Sequence, residues 1–206
     1  MGTPVAIEGA RERLICGIDA AVAEKGYAAT TISDVVRHAR VSKRTFYEQF
    51  DDKEACFLAA YESGSEQVLG AMAAAAEAAA GRSWEQRVEL VVVAYLEAMA
   101  ARPELTRTFL VEILGAGPRA LERRRATIER FAGQLVTLCA ELRRDEPSLR
   151  PISPALATAV VGGINELVLD AAERGRAAQL AHLAEPAANL IRAVLRSPAG
   201  TTGGAT

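Results

Sequence analysis

The sequence predicts an all-α fold: an N-terminal three-helix domain with a helix-turn-helix, followed by a larger helical domain. Three observations carry that prediction. Apolar residues recur at helical spacing along the chain, and no run alternates with a period of two. Alanine, leucine and arginine, all good helix formers, dominate the text. Capping residues, glycines and prolines punctuate it where helices should start and stop. With 206 residues, half of them hydrophobic, the chain can bury one small and one larger core. We divide it at 1–52, 53–197 and a tail at 198–206, where PAGTTGGAT lacks any periodic apolar residue and is expected to be disordered.

The first domain is read most closely at residues 30–58. Ile32, Val35, Val36 and Ala39 make one stripe of a short helix, started by Thr31 with Asp34 three residues on. Arg40 and Val41 make a turn. Ser42 caps a second short helix, in which Phe46 and Phe50 bury one side and leave Arg44, Thr45, Tyr47 and Glu48 on the other. From Val35 to Tyr47 lie Arg37, Arg40, Lys43 and Arg44 with no Asp or Glu, although residues 1–60 hold 8 Lys+Arg against 9 Asp+Glu. A local basic patch of this kind suits a phosphate backbone, because each neutralised phosphate releases counterions. The whole-chain net charge of −2 makes any such contact local.

The later elements follow in order. Asp51 or Asp52 caps a long helix from about Lys53 to Ala80, ended by Gly81, with Phe57, Leu58, Tyr61, Val68, Leu69 and Met72 on one face. Ser83 caps the next, whose stripe runs from Trp84 to Met99 before Pro103. Leu105, Phe109 and Ile113 mark a shorter helix ended by Gly115 and Gly117. After Pro118 a long helix carries Leu121, Ile128, Phe131, Leu135, Leu138, Cys139 and Leu142. Ser153-Pro154 is a cap with proline at the first helical position, and Leu183 to Arg196 forms the last helix, with Pro186 in its first turn.

The first domain resembles the DNA-binding domain of the tetracycline-repressor (TetR-like) family of bacterial transcription regulators. The resemblance covers residues 11 to about 58 and rests on Arg11, Leu14, Ile15, Glu24-Lys25-Gly26-Tyr27, Thr30-Thr31, Val41-Ser42-Lys43, Thr45-Phe46-Tyr47, Phe50 and Lys53-Glu54. It implies a sequence-specific regulator, most simply a repressor released from a palindromic operator by a small, mostly apolar ligand. Lys43, Arg44, Thr45, Tyr47 and Gln49 would meet bases or nearby phosphates, and Thr31, Ser42 and Lys53 the backbone. Three positions depart from the family pattern. Arg40 stands where glycine is usual, Gly17-Ile18 stand for two alanines, and Glu48 places a carboxylate on the reading helix.

The resemblance also implies a homodimer in which the last two long helices pair across a twofold axis. The candidate interface is Val160, Val161, Ile164, Leu167, Val168, Leu190, Ile191 and Val194, with Gly162 and Gly163 allowing close approach; a kink in a monomer core is the other reading of those glycines. For the ligand, aromatic, flexible and isolated polar groups in otherwise apolar helices give Tyr95, Met99, Phe109, Glu112, Phe131, Asn165 and Glu166. A DNA-binding dimer without an inducer, or an activator, remains open at this stage.

No catalytic set, cofactor or metal site is expected. His38 and His182 are far apart, and Cys16, Cys56 and Cys139 sit in apolar helical contexts that suit reduced core residues. No signal pattern and no charge-free apolar run near 20 residues is visible, so a cytoplasmic protein without a membrane partner is expected.

Overall fold

The computed structural model describes residues 9–103, 106 and 108–196, apart from the side chain of Phe109. Every regular element among them is helical: α1 (Ala10–Ala29), α2 (Ile32–Ala39), α3 (Lys43–Gln49), α4 (Lys53–Ala78), α5 (Trp84–Ala100), a π-helical turn (Thr108–Glu112) leading into the short α6 (Ile113–Gly115), α7 (Pro118–Asp145), α8 (Pro154–Glu173), a 3-10 turn (Leu180–Leu183) and α9 (Ala184–Arg196). The expected tail at 198–206 and the expected helix start at Leu105 lie outside the described residues. The chain divides into two compact units, Met1–Glu66 with Arg102–Arg125 and Gln67–Ala101 with Ala126–Thr206.

In the first unit α1 lies across α2 with almost no space between them. A Cβ built on Gly17 would stand 2.7 Å from the Val35 carbonyl oxygen and 2.9 Å from Ala39 Cβ. Glycine is therefore what lets the two helix backbones touch, a closer contact than the two alanines of the family pattern would allow. Beside it Leu14, Ile18, Val35 and Phe46 are fully buried, each stabilising the unit by about 1.5–3 kcal/mol. α1 breaks at Gly26, whose φ of 79° no L-residue adopts cheaply, and Thr30 ties the break by donating to Ala21 O and Gly26 O.

Both short helices start on the expected caps. Thr31 Oγ1 accepts from Asp34 N while Asp34 accepts from Thr31 N, and Ser42 Oγ accepts from Thr45 N. Lys25, 2.7 Å from Asp34, and the Thr31 donors hold the Asp34 carboxyl far below the usual carboxylate range. Arg40 closes α2 in the left-handed conformation, φ 53° and ψ 45°, so the arginine bears the strain that a glycine would avoid.

Where a plain short helix was expected around Leu105, Phe109 and Ile113, the described residues form a π-helical turn followed by one α turn. A tertiary bond accompanies this wider turn: Glu112 Oε2 accepts from Tyr27 N at 2.7 Å, next to the break in α1. Sequence periodicity carries no sign of such a partner 85 residues away.

The second unit packs the end of α4, α5, most of α7, α8 and α9. Val88, Leu96, Leu142, Val168, Leu180 and Leu195 are its largest fully buried side chains. Ser83 and Ser153 cap α5 and α8, the latter with proline at its first position. α9 is held to α5 by Arg192, which donates to Glu85 O and Glu89, and by Arg196, which pairs with Glu85 and lies over the Trp84 ring.

Candidate nucleic-acid interface and internal cavity

The helix-turn-helix presents α3 with one side sealed and the other open. Phe46 and Phe50 are both buried, their rings tilted against each other at 5.9 Å, and Arg11 lies over the Phe50 ring from α1. On the open side Tyr47 is 59% exposed, its ring standing edge-on against Phe46 at 5.5 Å, so the hydroxyl projects without local competition for the ring. Lys43, Arg44 and Gln49 are exposed as well. Arg44 Nε donates to Glu48 Oε1 at 3.0 Å, one helical turn on, so the arginine and the carboxylate reach outward as a pair. Such a pair matches the edges of a G·C pair, guanidinium to guanine and carboxylate to the cytosine amino group.

Thr31, Ser42 and Thr45 use their hydroxyls on the caps, with Ser42 and Thr45 2.9 Å apart, at the helix N-termini where an anion is favoured. Lys53 is placed differently from the other cations. Its Nζ donates to Tyr27 O and Thr30 O and lies 4.1 Å from the centre of the Tyr27 ring, and burial pulls its pKa below the ordinary lysine value. It fastens the start of α4 to the end of α1.

The second unit contains a cavity of about 400 Å³, within the range of small-molecule sites. Of the seven ligand candidates, Tyr95, Phe131 and Asn165 line it. Tyr95 donates to Asn165 Oδ1 at 2.7 Å and meets Phe131 edge-on at 6.1 Å. Met99 is buried away from the cavity, Glu166 is exposed, Glu112 belongs to the first unit, and the Phe109 side chain lies outside the described residues. Sequence reasoning passed over the cavity's charged residues, Glu77, Arg87 and Glu141. Arg87 is 7% exposed and donates to Asp145 at 3.0 Å and Glu141 at 3.3 Å. An arginine among helical stripes reads as a solvated residue until its two carboxylate partners, more than 50 residues on, are placed beside it.

The candidate interface residues divide between two faces. Val160, Ile164, Val168 and Ile191 are buried inside their own unit, Val161 lines the cavity and Val194 is half-buried. Leu167 and Leu190 are exposed, together with Leu156, Gly162 and Gly163. A Cβ on Gly162 would meet nothing within 4 Å. α8 is long and apolar enough for a membrane span, with a mean hydropathy of 1.4, and only 28% of that stretch is buried. Its open face carries Glu166 and Thr158 beside the leucines.

Residues 18–60 match the family model described as bacterial regulatory proteins, tetR family. No curated protein matches the chain in sequence. Among solved structures, the fatty acid degradation regulator FadR from Bacillus halodurans is 16% identical over 96% of this chain and 100% of its own, with a TM-score of 0.80. The transcriptional regulator FadR from Bacillus subtilis, in complex with stearoyl-CoA, is 15% identical over 89% of this chain and 98% of its own, TM-score 0.77. A TetR transcriptional regulator from Chloroflexus aurantiacus is 23% identical over 89% and 94%, TM-score 0.68. These likenesses show the fold.

Proposed function

We propose that this chain, whose residues 18–60 match the family model of bacterial regulatory proteins, tetR family, and whose helical fold is like that of the FadR regulators, is a cytoplasmic homodimeric repressor that a small ligand releases from a pseudo-palindromic operator. The observation that carries this reading is the open side of α3, where Lys43, Arg44, Tyr47 and Gln49 stand exposed on a helix sealed from behind by Phe46. Thr31, Ser42 and Thr45 would meet the phosphates that flank the bases.

A twofold pair of such helices reads successive major grooves when their centres are about 34 Å apart. The exposed leucines of α8 and α9, Leu156, Leu167 and Leu190, with the open Gly162, favour a second copy of the chain on that face. The cavity supports ligand control, and the stearoyl-CoA complex of the Bacillus subtilis protein is a precedent for a ligand on this fold.

Selection of bound sequences from random DNA, followed by fluorescence anisotropy at two salt concentrations, tests the reading. A palindromic consensus is expected, with affinity falling about 0.9 log units per log unit of salt for each phosphate neutralised. Arg44→Ala and Tyr47→Ala should each weaken operator binding at least about tenfold with melting unchanged. Recovery of no consensus, or two alanine variants that bind like the parent, would remove the assignment of α3.

A further inference from the structure

The cavity's two ends differ in charge, and the difference selects a ligand class. Tyr95 and Arg87 lie eight residues apart on α5, about 12 Å along the helix axis. At the Tyr95 end the phenol hydroxyl already donates to Asn165 and the ring faces Phe131, leaving an apolar end. At the Arg87 end Glu141 is 3.3 Å away on α7. α4 ends at Ala78 and α5 begins at Trp84, so the short connection between them puts Glu77, which lines the cavity, at the Arg87 end.

Among the described residues lining the cavity, Arg87 is the one cation, against Glu77 and Glu141. Its guanidinium is already engaged by Glu141 and by Asp145. The Arg87 Nε has no partner but is buried away from solvent, so an anionic head would have to compete with Glu141 and Asp145 for the guanidinium and sit beside Glu77, with like charge against it. A cation placed there gains Glu77 and shares Glu141 with Arg87, whose like charge is outweighed by the carboxylates of Glu77, Glu141 and Asp145. Resting on the proposed role of the cavity as a ligand site, we propose that its ligand is an amphiphile with a cationic head. The amine or quaternary ammonium lies against Glu77 and Glu141, and the apolar body extends along Val88, Val91 and Leu135 toward Phe131. This chemistry is opposite in charge to the acyl-CoA held by the Bacillus subtilis protein of the same fold.

The test uses the full chain and four probes, each below its micelle concentration: decyltrimethylammonium, decanol, decanoate and stearoyl-CoA. Trp84 is the chain's single tryptophan and lies one turn from Arg87, so its fluorescence reports occupancy of the charged end. Melting temperature and release of selected DNA are read alongside. Decyltrimethylammonium should bind about tenfold or more tightly than decanol, with decanoate weakest, and should release DNA. Glu77→Gln, at an exposed position, should erase most of the preference for the cation over the alcohol and leave decanol affinity as it was; Glu141→Gln is the second variant. Tighter binding of decanoate or stearoyl-CoA than of the ammonium, or an undiminished preference in both variants, overturns the charge assignment and leaves the cavity as a ligand site. If none of the four probes moves melting or fluorescence, the ligand reading of the cavity falls and the inference falls with it.

Discussion

The helix-turn-helix module and the cavity-bearing unit solve opposite packing problems. In the module, helices of eight and seven residues are too short to be stable alone. They are held by a cap at each start, by direct backbone contact at Gly17, by Phe46 and Phe50 beneath α3, and by Lys53 across the end of α1. In the second unit, helices of 13 to 28 residues are held by broad apolar faces, yet they leave about 400 Å³ unfilled. A surface that reads base edges has to be fixed to fractions of an ångström, whereas a pocket that senses a ligand has to keep room that packing would otherwise close. The two regions should therefore answer added atoms in opposite ways.

The largest contrast is expected from one pair of insertions. Gly17→Ala adds a single methyl against the Val35 carbonyl and the Ala39 backbone, neither of which can move without shifting α2, and should cost about 1–3 kcal/mol. Gly17→Val should abolish operator binding, while ligand binding in the second unit persists. Val161→Phe adds far more volume, but into the cavity, and should change melting by less than about 1 kcal/mol while removing the ligand response. Paired melting and DNA-release measurements check both. If Gly17→Ala melted like the parent, α1 and α2 would have to be looser than their contact indicates. A strongly destabilised Val161→Phe would show that the cavity is not free space.

A second, smaller difference is in pH response. Asp19 on α1 is buried, one of its carboxylate oxygens has no hydrogen-bond partner, and Arg102 stands 3.8 Å away. Burial, partly opposed by Arg102, raises its pKa to about 7. The neighbouring Cys56 thiol is pushed to about 12 by burial and by Asp19 itself. Because the folded pKa lies above that of an unfolded aspartate, proton binding stabilises the fold below pH about 4, and that stabilisation is lost as pH rises through about 7. Stability of the module should fall over this window by at most about 1.4 kcal/mol per pH unit, and Asp19→Asn should remove the slope. Melting of the two proteins between pH 5 and 8 checks this, and parallel curves would sink it.

What was legible in the sequence follows the same contrast. Thr31, Ser42, Ser83 and Ser153 cap the helices they were expected to cap, because a cap is decided by atoms within three residues. The stripes of α8 and α9 identified which residues are covered without identifying what covers them. Val160, Ile164, Val168 and Ile191 are buried by their own unit, while Leu156, Leu167 and Leu190, at the same helical spacing, face outward. The cavity was half legible. Tyr95, Phe131 and Asn165 stood out as unusual side chains, but Arg87, Glu77 and Glu141 acquire meaning only when three helices bring them together. Glu112 illustrates the same limit, since its partner is the backbone at Tyr27.

The smallest expected effect sharpens the account of the module. Arg40 holds a left-handed conformation that costs an L-residue about 1–2 kcal/mol, and glycine would relieve it while losing about 0.5–1 kcal/mol to unfolded-state entropy. Arg40→Gly should thus stabilise the module by up to about 1 kcal/mol. The side chain is exposed at the turn between α2 and α3, where the positive charge faces the DNA in the proposed complex. A variant that melts higher but binds operator more weakly, with a salt slope shallower by about one phosphate, would show that the strain is retained for a backbone contact. A variant that melts higher and binds unchanged would leave the arginine without a role on DNA. One that melts lower would mean that the turn gains more from the Arg40 side chain than its backbone loses.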